Sequence, residues 1–220
     1  MLPTIASAPR QISGEWRKWL LLEDESESLL DALAPSLNLV QKLAITIAFI
    51  AIVALLARAT FFLPDNPVPI TFQTFGILMM GGVLGWRWGI LSGVGYYLVG
   101  MAGLPVFKDG ANGWDYVTEG VTGGYLLGFI LATATVGFLS QHGWNRGRIL
   151  WPMLLGGLLL YGPALIWLSV FDFTWPADGE LFSAGMYVFI PGDLVKLMMA
   201  ALVVGAGWKY VDHRRGGPRV

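Results

Sequence analysis

Six long apolar runs, separated by shorter polar stretches, constrain this chain more than any other feature of its sequence. They cover residues 43–63, 70–84, 90–103, 122–139, 149–170 and 194–211, with GWRWG at 85–89 as the turn between the second and the third. A helix of about 20 residues rises about 30 Å, the thickness of the hydrocarbon core of a bilayer. Because backbone polar groups in lipid must be bonded internally, such runs form helices. We therefore expect an all-α integral membrane protein with six transmembrane helices.

The composition also indicates a membrane protein, and it excludes several kinds of function. Only 13% of the residues are charged, whereas a soluble domain carries about 25%. The chain has no cysteine, which excludes disulfides and thiol chemistry, and its two histidines leave little for a metal cluster. A net charge of −1 argues against nucleic acid as a partner.

Several enzyme classes are excluded by missing motifs. The sequence has no Gly-x-x-x-x-Gly-Lys-[Ser/Thr] and no His-Glu-x-x-His, so it is neither a P-loop ATPase nor a zinc protease of that type. A serine hydrolase needs a base within reach of its serine. Ser92 lies in an apolar run, whereas His142 and His213 fall in predicted cytoplasmic segments. We therefore predict a binding protein without metal or cofactor, with an intramembrane hydrolase or a small channel as the alternative.

The stretch PGDLVK at residues 191–196 is the strongest candidate for a site. It places a carboxylate, Asp193, three residues before an ammonium, Lys196, and on a helix these lie on one face. Pro191 suits a first helical position, which puts Asp193 in the first turn, where the helix dipole favours an anion. Charges at membrane depth are costly and usually face a protein interior or a wet cavity. We interpret the pair as a polar binding site, with a self-neutralised pair at the membrane interface as the alternative.

The distribution of cations predicts the orientation. Six crossings place both termini on one side, and of the 14 lysines and arginines only Arg58, Lys108 and Lys196 fall elsewhere. By the positive-inside rule both termini are cytoplasmic. The proline-rich loop at 64–69, the polar loop at 104–121 and the Asp193 end of the last helix then face outward. We expect them to converge on one outer mouth.

The residue types at this mouth suit a small ligand with a urea- or amide-like head. Asp193 accepts N–H groups, Lys196 donates, and Asn112 does both. Three aromatic residues are candidates for apolar walls, Phe75, Trp114 and Tyr125. Each aromatic taken alone is also typical of ordinary packing or of an interface anchor.

A stripe of small residues marks the first apolar run. Ala44, Ala48 and Ala51 recur at steps of three and four, a pattern suited to close helix contact. We interpret the stripe as a docking face for another membrane protein, with ordinary packing inside the bundle as an equal alternative.

The first 40 residues differ from the rest in having no long apolar run and an acidic stretch at 23–27. We predict a cytoplasmic extension at 1–40, a six-helix membrane domain at 41–212 and a short basic tail at 213–220. The extension is expected to be poorly ordered, with an amphipathic segment on the membrane surface as the alternative.

Four motifs in the sequence resemble those of a known family. They are VPITFQT (68–74), GLPVF (103–107), TGGYLLGF (122–129) and PGDLVK (191–196). In this order they resemble BioY, the biotin-binding S component of energy-coupling-factor (ECF) vitamin transporters, from about residue 43 to 211. Val121 departs from the pattern, because the family usually has proline there, and residues 1–40 are expected to lie outside it.

The resemblance implies an S-component bundle in the plasma membrane, with an extracytoplasmic biotin site and no catalysis. It implies ligand contacts at Asn112, Asp193 and Lys196, with Gln73 beneath a lid formed by the loop at 64–69. The implied partners are biotin, membrane lipid, a transmembrane coupling protein and two cytoplasmic ATPases, and the alanine stripe is the candidate docking face. The alternative is the same fold with a different vitamin-like ligand.

Overall fold

The computed structural model describes residues 27–217, which form a helical bundle with a two-stranded sheet at one end. The helices are α1 (Leu29–Leu33), α2 (Leu39–Leu56), α3 (Gln73–Met101), α4 (Trp114–Thr118), α5 (Gly123–Gln141), α6 (Leu150–Leu159), α7 (Tyr161–Val170) and α8 (Ile190–Arg214). Strands β1 (Thr60–Phe61) and β2 (Ile70–Thr71) pair antiparallel between α2 and α3. Short 3-10 turns lie at Lys108–Gly110 and Arg146–Arg148, and a π-helical turn lies at Ser183–Tyr187.

Five helical segments in the described residues are long and apolar enough to cross a membrane. They are Leu39–Leu56, Gln73–Met101, Gly123–Gln141, Leu150–Val170 and Ser183–Arg214. The predicted all-α membrane class is therefore confirmed. The difference from the predicted number of helices lies in α3, which contains both the second and the third apolar run.

Helix α3 consists of two helical halves that fold back on each other and is not one straight helix. Gly85 breaks it with a φ of 75° and a ψ of −177°. The amide of Gln73 donates to the hydroxyl of Tyr96 at 2.6 Å, whereas a straight helix would separate these residues by about 35 Å. The second half starts at Trp86, whose N–H is capped by Oε1 of Gln141 at 2.8 Å. Each half is shorter than the length of about 20 residues that a span needs, so the count of six stays a prediction.

Helix α5 packs against both halves of α3 at glycines, because only a bare backbone fits there. A Cβ added at Gly137 would lie 2.6 Å from the carbonyl carbon of Gly85, and one at Gly81 would lie 2.6 Å from the carbonyl oxygen of Thr133. Such distances leave no room for a side chain, as is common where membrane helices approach closely. The glycine-rich runs thus hold the centre of the bundle together.

One end of the bundle, here called the α1 end, is fastened by ion pairs between distant segments. Lys42 donates to Asp31 at 2.6 Å, and Arg215 pairs with Glu27. Leu29 is only 3% exposed and packs into the core. Residues 27–33 therefore differ from the expectation of a poorly ordered extension, and residues 1–26 of that predicted extension lie outside the described part of the chain.

The opposite end, here called the hairpin end, carries β1, β2 and the connections at 102–122 and 171–189. The guanidinium of Arg58 donates to the carbonyl oxygen of Pro105 at 2.7 Å. The hydroxyl of Thr60 donates to Asp109 at 2.9 Å. These contacts bring the β-hairpin and the 102–122 segment together, as expected for loops that meet at one mouth.

Helix α2 lies at the rim of the bundle, with only 11% of its length buried. Thr46 and Val53 are its two buried residues. Ala44, Ala48 and Ala51 are all exposed, so the predicted alanine stripe does not pack inside the bundle.

Candidate ligand site

A small cavity of about 60 Å³ lies at the hairpin end, between the β-hairpin and helices α3, α5, α7 and α8. Its polar lining comes from Thr71, Gln73, Thr74, Lys108, Tyr116, Thr122, Tyr125, Tyr161, Asp193 and Lys196. Aromatic and aliphatic side chains complete the wall, as in most small-molecule sites. This volume is well below the 300–1,000 Å³ typical of ligand pockets, so the cavity holds little free space.

The Asp193–Lys196 pair forms the charged part of this cavity. Asp193 lies in the first turn of α8, just after Pro191 at the start of the helix, as the sequence predicts. The ammonium of Lys196 donates to Oδ1 of Asp193 at 2.6 Å, and the two residues are 8% and 5% exposed. The pair therefore faces the interior and not the lipid.

Tyr161 completes the charged cluster from α7. Its hydroxyl donates to Oδ2 of Asp193 at 2.5 Å, so both carboxylate oxygens have an internal partner. Sequence reasoning missed Tyr161 because it lies in an apolar run with no polar neighbour. The available signal was the position of Tyr161 in the middle of an apolar run. Tyrosines in membrane helices favour the interfaces, so a tyrosine in the middle of a run needs an internal hydrogen-bond partner.

Gln73 belongs to a buried chain of hydrogen bonds that fixes the floor of the cavity. Its Oε1 accepts from the hydroxyl of Thr71 at 2.9 Å, and its amide N–H donates to Tyr96. The hydroxyl of Tyr96 in turn donates to the carbonyl oxygen of Val106 at 2.8 Å. Each polar group in the chain has a partner, which favours a rigid floor.

Tyr125 contributes an aromatic wall. Its hydroxyl donates to the carbonyl oxygen of Gly185 at 2.5 Å, which fixes the position of the ring. The ring stands edge-on to those of Tyr161 and Phe189, with centroids 6.4 and 6.1 Å away. These edge-to-face contacts hold three aromatic residues in a fixed arrangement.

Two of the predicted site residues and one predicted wall residue lie away from this cavity. Asn112 is exposed, and its amide donates to the carbonyl oxygen of Gly110 at 3.1 Å. Trp114 is 61% exposed. Phe75 packs edge-on against Phe72 at a centroid distance of 6.0 Å. None of the three is among the lining residues of the cavity.

The loop at 62–69 covers the cavity and is held by contacts to two other connections. Lys108 donates to the carbonyl oxygen of Pro67 at 3.0 Å, and Asn66 donates to that of Ala184 at 3.3 Å. Val68 and Pro69 from this loop line the cavity. Burial lowers the pKa of Lys108, and the nearby carboxylate of Asp109 opposes that shift only in part.

Tyr116 of α4 closes the cavity beside this loop. Its ring stacks on that of Phe107 with centroids 5.4 Å apart. Burial raises the pKa of its hydroxyl, and a hydrogen bond with Thr122 acts in the opposite direction. Within residues 27–217 no cluster of three histidine or carboxylate side chains is arranged to hold a metal ion.

Comparison with known families gives a match over most of the chain. Residues 26–213 match the model of the BioY family. The match includes α1, so the expectation that residues 1–40 lie outside the family pattern is wrong for residues 26–40. Its end agrees with the limit near residue 211 that the four motifs indicate.

Individual proteins agree with the family match. "Probable biotin transporter BioY" of Methanothermobacter thermautotrophicus is 41% identical over 140 residues, covering 58% of this chain and 86% of the relative. "Biotin transporter BioY" of Thermotoga maritima is 35% identical over 141 residues, covering 64% and 81%. Among solved structures, the S-component for biotin from an ECF-type ABC transporter aligns with a TM-score of 0.65 at 28% identity, covering 76% of this chain and 90% of that one.

Proposed function

The chain belongs to the BioY family, and we propose that it is the biotin-binding membrane subunit of an ECF-type transporter, with the cavity at the hairpin end as its ligand site. The observation that carries this proposal is the buried Asp193–Lys196 pair, which lines that cavity and is held by Tyr161. Charges at membrane depth are costly and mark sites of recognition more often than idle positions. BioY relatives are named as transporters, so we infer that the chain catalyses no reaction itself.

The chemistry of the pair suits the ureido head of biotin. That ring offers two N–H donors and one carbonyl oxygen. An ionised carboxylate has about four acceptor positions, of which Tyr161 and Lys196 use two, so Asp193 can accept a ligand N–H without losing either partner. The ammonium of Lys196 has three donors and can give one to a ligand oxygen.

The remaining predicted contacts surround this head. Gln73 and Tyr125 line the cavity and supply the floor and an aromatic wall for the ring system. Asn112 and Trp114 are proposed contacts because the resemblance implies the first and the aromatic composition suggests the second. Their exposed positions mean that the 102–122 segment rearranges if they meet the ligand.

The cavity must expand to hold a ligand, because about 60 Å³ is smaller than a vitamin, and we assign that expansion to movement of the loop at 62–69. The loop is held by donors on backbone carbonyls, and water can replace such partners when the loop opens. This loop contains the predicted lid at 64–69, and in this proposal it closes over the ligand once the ligand is bound.

We infer the orientation in the membrane from the distribution of cations between the two ends, and the docking surface from the exposed face of α2. The cations gather toward the α1 end, so we place both termini in the cytoplasm and the hairpin end outside. Uptake then depends on a transmembrane coupling protein and two cytoplasmic ATPases. The exposed face of α2 that carries Ala44, Ala48 and Ala51 supports close docking of a partner helix.

The direct test is the thermal stability of the detergent-purified protein with and without biotin. A ligand at a hundredfold excess over its Kd stabilises the folded state by about 2.7 kcal/mol. We expect a clear rise in the midpoint of unfolding with biotin and none with riboflavin or thiamine. A shift with another vitamin but not with biotin would instead support the alternative ligand, and no shift with any of them would refute the capture function.

A further inference from the structure

Besides the ligand cavity, the bundle has an apolar groove of about 270 Å³ between α3, α6 and α8. Its walls are formed by aliphatic side chains from all three helices, among them Leu78, Leu154, Leu155, Leu158, Leu194 and Leu197. Leu158 and Leu194 are 56% and 42% exposed, so the groove opens on the outer surface of the bundle. Because these helices belong to membrane-length segments, that surface faces lipid.

The groove is deepened where it passes Gly157. Gly157 forms part of its lining, and a Cβ added there would meet only Leu197, at 3.8 Å. That is an ordinary contact distance, so the position leaves free space that a side chain would fill. Thr74, Tyr161 and Asp193 are part of its lining and also line the ligand cavity, and Met186 and Ile190 extend the lining toward the hairpin end.

The length of the groove suits a single hydrocarbon chain. Its part along α6 runs from Trp151 to Tyr161 at the start of α7, which is about 15 Å at 1.5 Å per residue. This is about half of the 30 Å hydrocarbon core, the depth that the acyl chains of one leaflet occupy. This part of the groove therefore runs from the α1 end toward the middle of the membrane.

A cation lies where the headgroup of such a lipid would sit. Arg148 precedes α6 and is exposed, three residues before Trp151 at the rim of the groove. Its guanidinium makes no hydrogen bond or ion pair with any residue of 27–217, whereas neighbouring Arg146 is held by Asp212. A guanidinium at the membrane surface matches the geometry of a phosphate group.

We propose that the groove is a binding site for one phospholipid of the leaflet at the α1 end, with an acyl chain along α6 and its phosphate on Arg148. An apolar recess of this kind stays dry, and left empty it forfeits the dispersion contacts of its lining. Leu158 and Leu194 are exposed where they line the groove, so the bilayer itself supplies the occupant. The methyl end of the chain packs behind the wall formed by Tyr161 and Asp193.

The test uses the full chain purified in detergent, with palmitoyl-oleoyl-phosphatidylglycerol as the probe and native mass spectrometry to count bound lipid. We expect the wild type to retain one lipid at concentrations where Gly157→Leu retains several-fold less, because the leucine fills the recess. Gly162→Leu is the matched control, since a Cβ at this exposed position on α7 meets no atom within 4 Å. Arg148→Gln should reduce retention several-fold while leaving the groove intact.

Equal retention by Gly157→Leu and the wild type would overturn the proposal, and so would an equal loss in Gly157→Leu and Gly162→Leu. If Gly157→Leu does not fold, a second measurement decides. Phosphatidylglycerol with brominated acyl chains should quench a component of tryptophan fluorescence that is missing in Trp151→Phe. Identical fractional quenching in both proteins would place the lipid elsewhere. Neither measurement uses biotin, so its outcome is separate from that of the proposed capture function.

Discussion

The two ends of the bundle are fastened by different chemistry. At the α1 end, charged side chains meet charged side chains, as in Lys42 with Asp31. At the hairpin end, Lys108 and Asn66 donate to backbone carbonyl oxygens of Pro67 and Ala184. Water can replace a carbonyl partner when a loop moves, whereas the ion pairs tie the α1 segment to other parts of the chain. We therefore expect the α1 end to stay fixed and the hairpin end to open.

The largest effect is expected from Asp193→Asn, which tests whether the hairpin end is the ligand end. Removing one partner of a buried ion pair costs about 3–5 kcal/mol, so the rise in thermal stability with biotin should disappear. Asp31→Asn, at the α1 end, should lower the baseline stability and keep that rise. A biotin-dependent rise of wild-type size in Asp193→Asn would contradict the role given to this carboxylate.

Because Asp193→Asn leaves Lys196 buried without a carboxylate, a double variant serves as its control. Asp193→Asn combined with Lys196→Met removes both charges and should fold better than the single variant, since no unpaired charge stays buried. It should still fail to bind biotin, as measured by isothermal titration. Recovery of binding in the double variant would show that the pair is structural only.

The next effect is kinetic and tests whether the hairpin end opens. Lys108→Gln removes the charged donor to Pro67, a contact worth less than about 1.5 kcal/mol because the hydrogen bond is exposed to solvent, although the side chain is half-buried. Biotin association and dissociation should both become faster in stopped-flow measurements, with little change in Kd. A change in Kd without a change in the rates would assign Lys108 to the bound ligand and not to the loop.

A smaller effect is expected at the fixed end. Lys42→Gln should lower the free energy of unfolding by about 0.5–1 kcal/mol, because the pair with Asp31 is partly exposed. The difference between the variant and the wild type should shrink at high salt, which screens such pairs. Biotin exchange rates should not change; faster exchange in this variant would mean that the two ends move together.

The smallest effect concerns pH. Burial raises the pKa of Tyr116, so its neutral form is favoured in the folded protein. The folded state therefore binds more protons than the unfolded one above the ordinary tyrosine pKa of about 10, and stability should fall as pH rises through that range. Tyr116→Phe should lessen this fall in thermal unfolding curves measured between neutral and alkaline pH. An unchanged alkaline fall in the variant would assign it to other groups.

Lys108 acts with the opposite sign at the same end. Its pKa is lowered by burial, so the unfolded state binds more protons between that lowered value and the ordinary value of 10.5. Stability should therefore rise with pH over this window. In Lys108→Gln that rise should be absent, which leaves the alkaline fall from Tyr116 more visible. The two variants together separate the two contributions.

The sequence predicts much of the fold because the physical constraint of the bilayer is local. Each apolar run indicates a helix by itself, and Pro191 with Asp193 marks the start of α8. The i, i+3 spacing also predicts that Asp193 and Lys196 meet, which they do at 2.6 Å. These inferences need only neighbours in sequence.

Contacts between distant segments were harder to predict. Tyr161 reaches Asp193 from a helix 32 residues away, and no local pattern indicates that partner. Asn112 lies in a connection whose course depends on contacts such as that between Arg58 and Pro105, so its residue type alone did not place it at the cavity. The buried position of Leu29 likewise depends on α3 and α8, which are far along the chain.

The reversal at Gly85 has a consequence for evolution. A side chain at Gly137 would strike the backbone of Gly85, and Gly85 itself has a positive φ that other residues rarely adopt. We therefore expect the two positions to vary together in evolution, because replacing either glycine disrupts the contact between them. Across homologous sequences we expect glycine at both positions or at neither.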